Sequence, residues 1–322
     1  MTKLRIGVMG CASIAVRAMM PAMQGCQEVE IIAVASRTKD KAEKTARMFD
    51  CDAIKGYERL LERDDIDAVY MPLPTGLHEE WVIKTLEAGK HILVEKSFAE
   101  NYQSARRMLK LAKAKKLLVM ENYLFPQHSQ YAWVKDLIAS GDLGHIHLFR
   151  STFGFPPLPM NNFRYSRELG GGALLDAGGY VLKASQLFLG NDLKLLCSSL
   201  NYEDPSDVDI YGDAMLRNSV GQVAQVSFGF NYYYQCCFEF LGSRGKLIVE
   251  RAYTPPPGFM PKVYLEYQDL KKEIILTDDN YYINMCSLFA QTVQSPDDYT
   301  IHWNAGLNQA RLIDAVRKGD ST

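Results

Sequence analysis

Three places in the chain carry residue types suited to chemistry. The first is Gly10-Cys11-Ala12-Ser13-Ile14-Ala15, just after an apolar run at residues 4–8. Small residues at 10, 12 and 15 match the spacing Gly-x-Gly-x-x-Gly/Ala, which lets backbone approach a pyrophosphate and offers helix-start N–H donors. Ala12 at the second glycine position weakens the match. Its place at the first strand–turn–helix of the chain strengthens it. The second place is Ser36-Arg37, with Lys39 and Lys41 beyond. An NAD site carries an acid near here for the ribose 2′-hydroxyl. A hydroxyl and a guanidinium instead suit a 2′-phosphate, since arginine forks onto phosphate oxygens. The cofactor expected from these residues is NADP(H). The third place is Lys96, after His91-Ile92-Leu93-Val94-Glu95. A lysine there faces the crevice beyond the strand ends of a doubly wound sheet, but by itself it reads as a strand-end surface charge. His145 and His147 alternate onto one strand face without a suitably spaced third ligand, so no metal site is expected. Cys11 reads as a small buried hydrophobe.

The elements that must position these groups follow from the hydrophobic pattern. Apolar runs at 4–8, 29–35, 66–71, 92–94 and 117–120 alternate with helical patterns at 13–23, 39–49, 79–88 and 102–114. Such alternation implies parallel strands joined by right-handed crossovers. After a helical stretch at 131–140 the character changes. Strand patterns at 144–150, 208–216, 222–230, 236–240, 247–250, 263–267 and 273–276 follow one another, and a helix is expected over 305–317. Strand after strand without intervening helices reads as an antiparallel sheet. The expected fold is therefore an α/β Rossmann domain over 1–121, then an α+β domain over 122–322 with a large, mostly antiparallel sheet. The active site is expected between them.

Composition narrows the function classes. The chain has 322 residues, is 47% hydrophobic and carries a formal net charge of -2. It can build a core without staples, and it offers no general attraction to nucleic acid or an anionic membrane. Seven cysteines without a CxxC suit reduced thiols, and the N-terminus lacks signal-peptide features, so a cytoplasmic protein is expected. The alternating aromatics Phe228, Phe230, Tyr232, Tyr234, Phe238 and Phe240 suggest an apolar outer sheet face used for self-association.

The order of these motifs along nearly the whole chain resembles the glucose-fructose oxidoreductase / inositol dehydrogenase (Gfo/Idh/MocA) family. The matching pieces are the loop at 10–15, Pro72-Leu73-Pro74-Thr75-Gly76-Leu77-His78, Glu95-Lys96-Ser97-Phe98-Ala99, Glu121-Asn122 and the run 164–180. Within the family the chain most resembles the NADP-dependent ketoreductases acting at C3 of nucleotide-linked deoxysugars. The resemblance implies that Lys96 lies beside the nicotinamide and the reacting oxygen. Tyr180 stands where the family usually has a catalytic histidine, and its phenol can donate a proton as hydride arrives. A nearby ammonium would lower that phenol's pKa. Asp176 would orient the segment or cap a helix. Pro72, Leu73, Pro74, Thr75, His78 and Glu95 are expected around the cofactor. Asn122, Gln127, His128, Arg164 and Tyr165 are candidates for substrate contact. Ser97 replaces the family's proline and leaves the Lys96 backbone less constrained.

Three activities fit the resemblance: a nucleotide-sugar ketoreductase, a dehydrogenase of free sugars or cyclic diols, and a non-catalytic NADP-sensing regulator. Keeping both Lys96 and Tyr180 argues against the third. The partners implied are a sugar or nucleotide-sugar substrate and further copies of the chain, as a homodimer or homotetramer through the C-terminal sheet. The Ser36-Arg37 pocket makes a direct prediction. Replacing Arg37 should raise the KM for NADPH far more than that for NADH. A wild-type protein that uses NADH equally well would refute this reading of the pocket.

Overall fold

The structure, a computed structural model, describes residues 2–203 and 206–319. It divides into two compact units. The first runs up to Tyr123 and also takes in Tyr282–Leu307; the second holds Leu124–Tyr281 and the chain from Asn308 onward. The expected single boundary at 121/122 is thus corrected, because one C-terminal segment returns to the first unit. Tyr281–Val293 and Tyr299–Lys318 are helices whose apolar faces bury Met285, Cys286, Phe289 and Ala290 in one, and Leu312, Ile313 and Val316 in the other.

The first unit is a six-stranded parallel sheet in the order β3-β2-β1-β4-β5-β6. Its strands are β1 (Leu4–Met9), β2 (Val29–Ser36), β3 (Asp52–Lys55), β4 (Ala68–Met71), β5 (His91–Glu95) and β6 (Val119–Asn122). The central strands are buried on both faces, as a sheet between two helical layers requires, and Ile6, Val8, Val69 and Val94 are at most 1% exposed. The short edge strand β3 carries the sequence Asp-Ala-Ile-Lys, mostly exposed, and gives no hydrophobic signal. The helix Lys39–Phe49 buries Ala42, Thr45, Ala46 and Phe49, a spacing of three and four along one face. Asn101 caps the helix Tyr102–Lys115 by accepting from Ser104 N–H at 2.9 Å, and Lys113 and Lys115 suit the negative end of its dipole.

The second unit is an eight-stranded sheet in the order β14-β13-β12-β11-β7-β10-β9-β8. Its strands are β7 (Ile146–Gly154), β8 (Lys194–Tyr202), β9 (Asp209–Arg217), β10 (Val223–Gly229), β11 (Gln235–Gly242), β12 (Lys246–Val249), β13 (Lys262–Tyr267) and β14 (Leu270–Ile275). Every pairing is antiparallel except β7 with β10. The helix Gly179–Leu189 packs on β7 and β10 and buries most of its residues, and its half-buried stripe, Tyr180, Lys183 and Leu187, holds one charge, so the polar face that marks a helix in sequence is faint. Its Phe188 meets Phe149, Phe238 and Phe240 with ring centroids 5.0–5.8 Å apart.

The phenylalanines expected on an outer sheet face lie inside instead. Phe228, Phe230, Phe238 and Phe240 are all at most 1% exposed. Because strand side chains alternate, the opposite face carries their neighbours. One cross-strand row there runs Glu239, Arg150, Gln225, Met215. Arg150 donates to Gln225 Oε1 at 2.9 Å and to Glu239 Oε1 at 3.0 Å. The four phenylalanines fill the core, and the other face is mixed, since the next cross-strand row on it runs Leu241, Leu148, Val223.

Candidate active site

In a parallel sheet all carboxyl ends lie on one edge, and the segments expected to bind cofactor follow those ends. The loop from Gly10 follows β1, Ser36 and Arg37 close β2, Pro72–Thr75 follow β4, Glu95 and Lys96 close β5, and Asn122 ends β6. Gly10 has φ +119°, and its N–H donates to Ala35 O at 2.9 Å. An added Cβ would stand 3.1 Å from Leu73 Cδ2 and 3.7 Å from Pro72 O, so only glycine suits this left-handed turn against the 72–75 segment. The first intrahelical bond runs from Val16 N–H to Ala12 O at 3.1 Å. The N–H groups ahead of it in the helix start are left for an anion. Cys11 is buried with Sγ toward the carbonyls of Ala35 and Lys41. Ser13 is exposed, and Ala12 and Ile14 are half-buried. Ser36 is buried, Arg37 exposed. This loop and pocket fit a dinucleotide with a 2′-phosphate.

Tyr57 belongs to the same pocket and went unseen in the sequence. Its hydroxyl lies 3.7 Å from the Cβ position of Gly10, and the Arg37 charge opposes the burial that raises its pKa. Nothing local marks this tyrosine, since only the fold brings residue 57 beside residue 10.

Lys96 is half-buried at the end of β5, and its peptide bond to Ser97 is cis. Hydrogen bonds hold the segment after it without a proline ring. Ser97 O lies 3.1 Å from His78 Nδ1, the Ser97 hydroxyl 3.4 Å from Tyr123 OH, and Phe98 N–H donates to Glu121 Oε1 at 3.0 Å. Glu95 Oε1 accepts from Tyr70 OH and from Asn122 Nδ2, both at 2.7 Å. Burial raises the Glu95 carboxyl pKa, and these two donors and the Lys96 charge oppose it. Tyr70, wholly buried, is a second residue missed in the sequence; its one signal is a hydroxyl inside an apolar strand.

Three expected contacts are corrected. His78 is fully buried, and its Nε2 lies 2.8 Å from Leu73 O while Nδ1 faces Ser97 O and Phe98 O. It ties the 72–75 loop to the Lys96 segment and shows no surface to a cofactor. Asn122 is 1% exposed and serves Glu95. His128 is also 1% exposed; its Nδ1 accepts from Gln130 N–H at 3.1 Å and caps the helix Ser129–Ala139. Burial excludes both from the substrate contact expected of them.

In the second unit Arg164, Asp176 and Tyr180 come together. Arg164 Nε donates to Asp176 Oδ2 at 2.6 Å. Asp176 lies inside the π-helical turn Leu174–Gly178, so it orients Arg164 and is not a helix cap. Burial pulls the Arg164 pKa down, but Asp176 overcomes it, with smaller help from Tyr180 and Tyr165, so the net shift is upward. The glycine run permits this approach: a Cβ on Gly171 would sit 2.3 Å from Arg164 O, and one on Gly172 2.3 Å from Asp209 Oδ1. Asp209 Oδ2 in turn accepts from Leu174 N–H at 2.5 Å. The half-buried Tyr180 ring stands among Phe125, Phe153 and Tyr253, with centroids 4.8–5.8 Å away. Tyr165 OH accepts from Leu158 N–H at 3.0 Å, and Gln127 is half-buried at the end of a short 3-10 turn.

Comparison with known proteins agrees with this geometry. The family model "Oxidoreductase family, NAD-binding Rossmann fold" matches residues 4–123, and "GFO/IDH/MocA C-terminal domain" matches 131–248. A dTDP-3,4-didehydro-2,6-dideoxy-alpha-D-glucose 3-reductase of Saccharopolyspora spinosa is 42% identical over 319 residues, covering 97% of this chain and 96% of the relative. The enzyme of that name from Actinomadura kijaniata is 41% identical over 317 residues, with 98% and 95% covered. A 3-ketoreductase from Actinomadura kijaniata, solved in complex with NADP and TDP-benzene, superposes with TM-score 0.96 at 40% identity, covering 99% of this chain and 98% of that one. Further structures of that ketoreductase carry replacements of a lysine and of a tyrosine, spaced along its chain as Lys96 and Tyr180 are here.

The buried histidine generates a prediction. The carbonyl oxygens around His78 favour a protonated ring, but burial outweighs them and pulls its pKa from 6.5 down to about 4. The unfolded chain therefore takes up this proton near pH 6.5, while the folded protein resists until near pH 4. Stability from this group is fully present above 6.5, is lost as pH falls toward 4 and changes no further below. The expected loss is about 3 kcal/mol. Denaturant unfolding of wild type and His78→Gln across this range should show that part of the acid slope only in wild type. A wild-type protein that gains stability relative to the variant on acidification would mean that the carbonyls win.

Proposed function

Because the chain belongs to the GFO/IDH/MocA oxidoreductase family, we infer that it is an NADP-dependent enzyme that transfers hydride between nicotinamide and a keto or hydroxyl carbon of a sugar, namely C3 of a nucleotide-linked keto-deoxysugar. The observation that carries this reading is full-length likeness, at 40% identity, to a ketoreductase solved with NADP and TDP-benzene. The Ser36-Arg37 pocket supports the choice of cofactor. The glycine turn at Gly10, with φ +119°, supports a close backbone approach to the pyrophosphate.

The bound cofactor supplies the hydride. The chain's own residues must then meet the charge that develops on the sugar oxygen and deliver a proton to it. Lys96, braced by the Ser97, Phe98 and Tyr123 contacts, offers an ammonium at the end of β5. Tyr180 offers a phenol in an aromatic nest with Arg164 nearby. We assign the two as an acid pair, with Arg164 and Tyr165 in the substrate region. The same reading includes a homodimer or homotetramer formed through the C-terminal sheet. Sedimentation that finds only monomer at micromolar concentration would count against that assembly.

The activity is tested by following NADPH absorbance with a TDP-linked 3-keto-deoxysugar. Turnover of free sugars with equal kcat/KM would overturn the substrate class. The acid pair is tested on the same assay. Tyr180→Phe keeps the ring and removes the proton, so binding should survive while turnover falls by roughly 10²–10⁴. Lys96→Ala should cost at least as much, and the double variant should be little worse than Lys96→Ala alone, because residues acting as a unit lose activity non-additively. A Tyr180→Phe enzyme within a few-fold of wild type, with an unchanged pH profile, would remove the tyrosine and leave Lys96 as the leading acid.

A further inference from the structure

The helix Tyr102–Lys115 is unusual in a chain of net charge -2: from Asn101 to Val119 it carries Arg106, Arg107, Lys110, Lys113, Lys115 and Lys116, with no aspartate or glutamate. Arg107 is neutralised by Glu79, with N–O distances of 2.5 and 2.9 Å. Arg106, Lys110 and Lys113 are exposed and project from the helix at spacings of four and three, so they share one face. That face forms one wall of a groove of about 520 Å³ within the first unit. The other wall comes from Thr300, Trp303 and Asn304, on the first turns of the helix Tyr299–Lys318. Leu109 and Leu307 supply apolar lining, and none of the lining residues is acidic.

The chemistry of the walls selects an occupant. Arg106, Lys110 and Lys113 carry only donors and positive charge. Phosphate oxygens answer both, and the groove volume is that of a small-molecule site. The indole ring, half-exposed on the wall, offers a flat apolar surface that inorganic phosphate would leave unused. We propose that this groove binds a phosphorylated aromatic small molecule of the nucleotide class, at a site separate from the strand-end edge that serves the cofactor.

The test is calorimetric titration of ADP into the full chain already saturated with NADP⁺ and TDP, so that cofactor and substrate positions are filled. One further site per chain is expected, weakened by added salt. Loss of two charge-assisted contacts in Lys110→Glu/Lys113→Glu should weaken it at least about tenfold. Trp303→Leu, which removes the flat ring and keeps apolar bulk, should also weaken it, by a smaller factor. Both lysines are exposed, so their exchange leaves the packing intact, and unchanged NADP⁺ affinity serves as the control. The proposal fails if the saturated protein takes up no ADP. It also fails if the lysine variant binds ADP as wild type does, or if inorganic pyrophosphate binds as tightly as ADP.

Discussion

A buried carboxylate cannot be left unanswered, and the Glu95 carboxylate is answered twice on one oxygen, by the Tyr70 phenol and the Asn122 amide. These donors come from β4 and β6, the strands on either side of β5, so one side chain ties three parallel strands at their carboxyl ends. Each bond to a charged acceptor is worth about 1.5–3 kcal/mol, and losing one would expose the full desolvation cost of the carboxylate. The next residue is Lys96. The lysine therefore follows a point where three strands are tied together. His78 adds a second tie, from the loop after β4 to the carbonyls that follow Lys96. Rigidity at this edge suits the role proposed for Lys96, since a misplacement of about 1 Å at a reacting centre is costly.

Ser97 is informative in this setting. The resemblance implies a proline at this position, whose ring would restrict the preceding residue. Here the restriction is replaced by contacts. The serine is buried, its carbonyl faces His78, its hydroxyl approaches Tyr123, and the next N–H is held by Glu121. The constraint on Lys96 has moved from covalent geometry to hydrogen bonding.

The second unit solves a related problem with glycine. Arg164 and Asp176 meet because the chain between them turns through Gly170, Gly171 and Gly172, with φ of +70° at the first and +109° at the third. At Gly171 and Gly172 any side chain would collide with Arg164 O or Asp209. The guanidinium so placed stands near Tyr180, one helical turn beyond Asp176. The phenol is thus set in apolar surroundings with a cation close by, an arrangement suited to moving a proton.

Much of this was written in the chain itself. The alternation of apolar runs and helical patterns up to residue 120 specified the parallel sheet, because period and composition are local properties. The Gly10 turn and the missing acid near Ser36 were legible for the same reason: each motif occupies a few consecutive residues. Other features had no local mark. The short edge strand β3 is too polar to stand out, and the helix Gly179–Leu189 is mostly buried with a single charge, Lys183, on its half-buried stripe. The return of Tyr282–Leu307 to the first unit depends on what its apolar faces meet. Whether His78, Asn122 and His128 face ligand or core was also undecidable from the sequence, because a polar side chain in a motif looks the same in either role. Likewise the aromatic alternation in β10 and β11 established that one face of the sheet is apolar, but not which face the helices cover. Period and composition determine which elements form. Burial, and with it the roles of Tyr57, Tyr70, His78 and Asn122, is decided only when elements distant in sequence pack together.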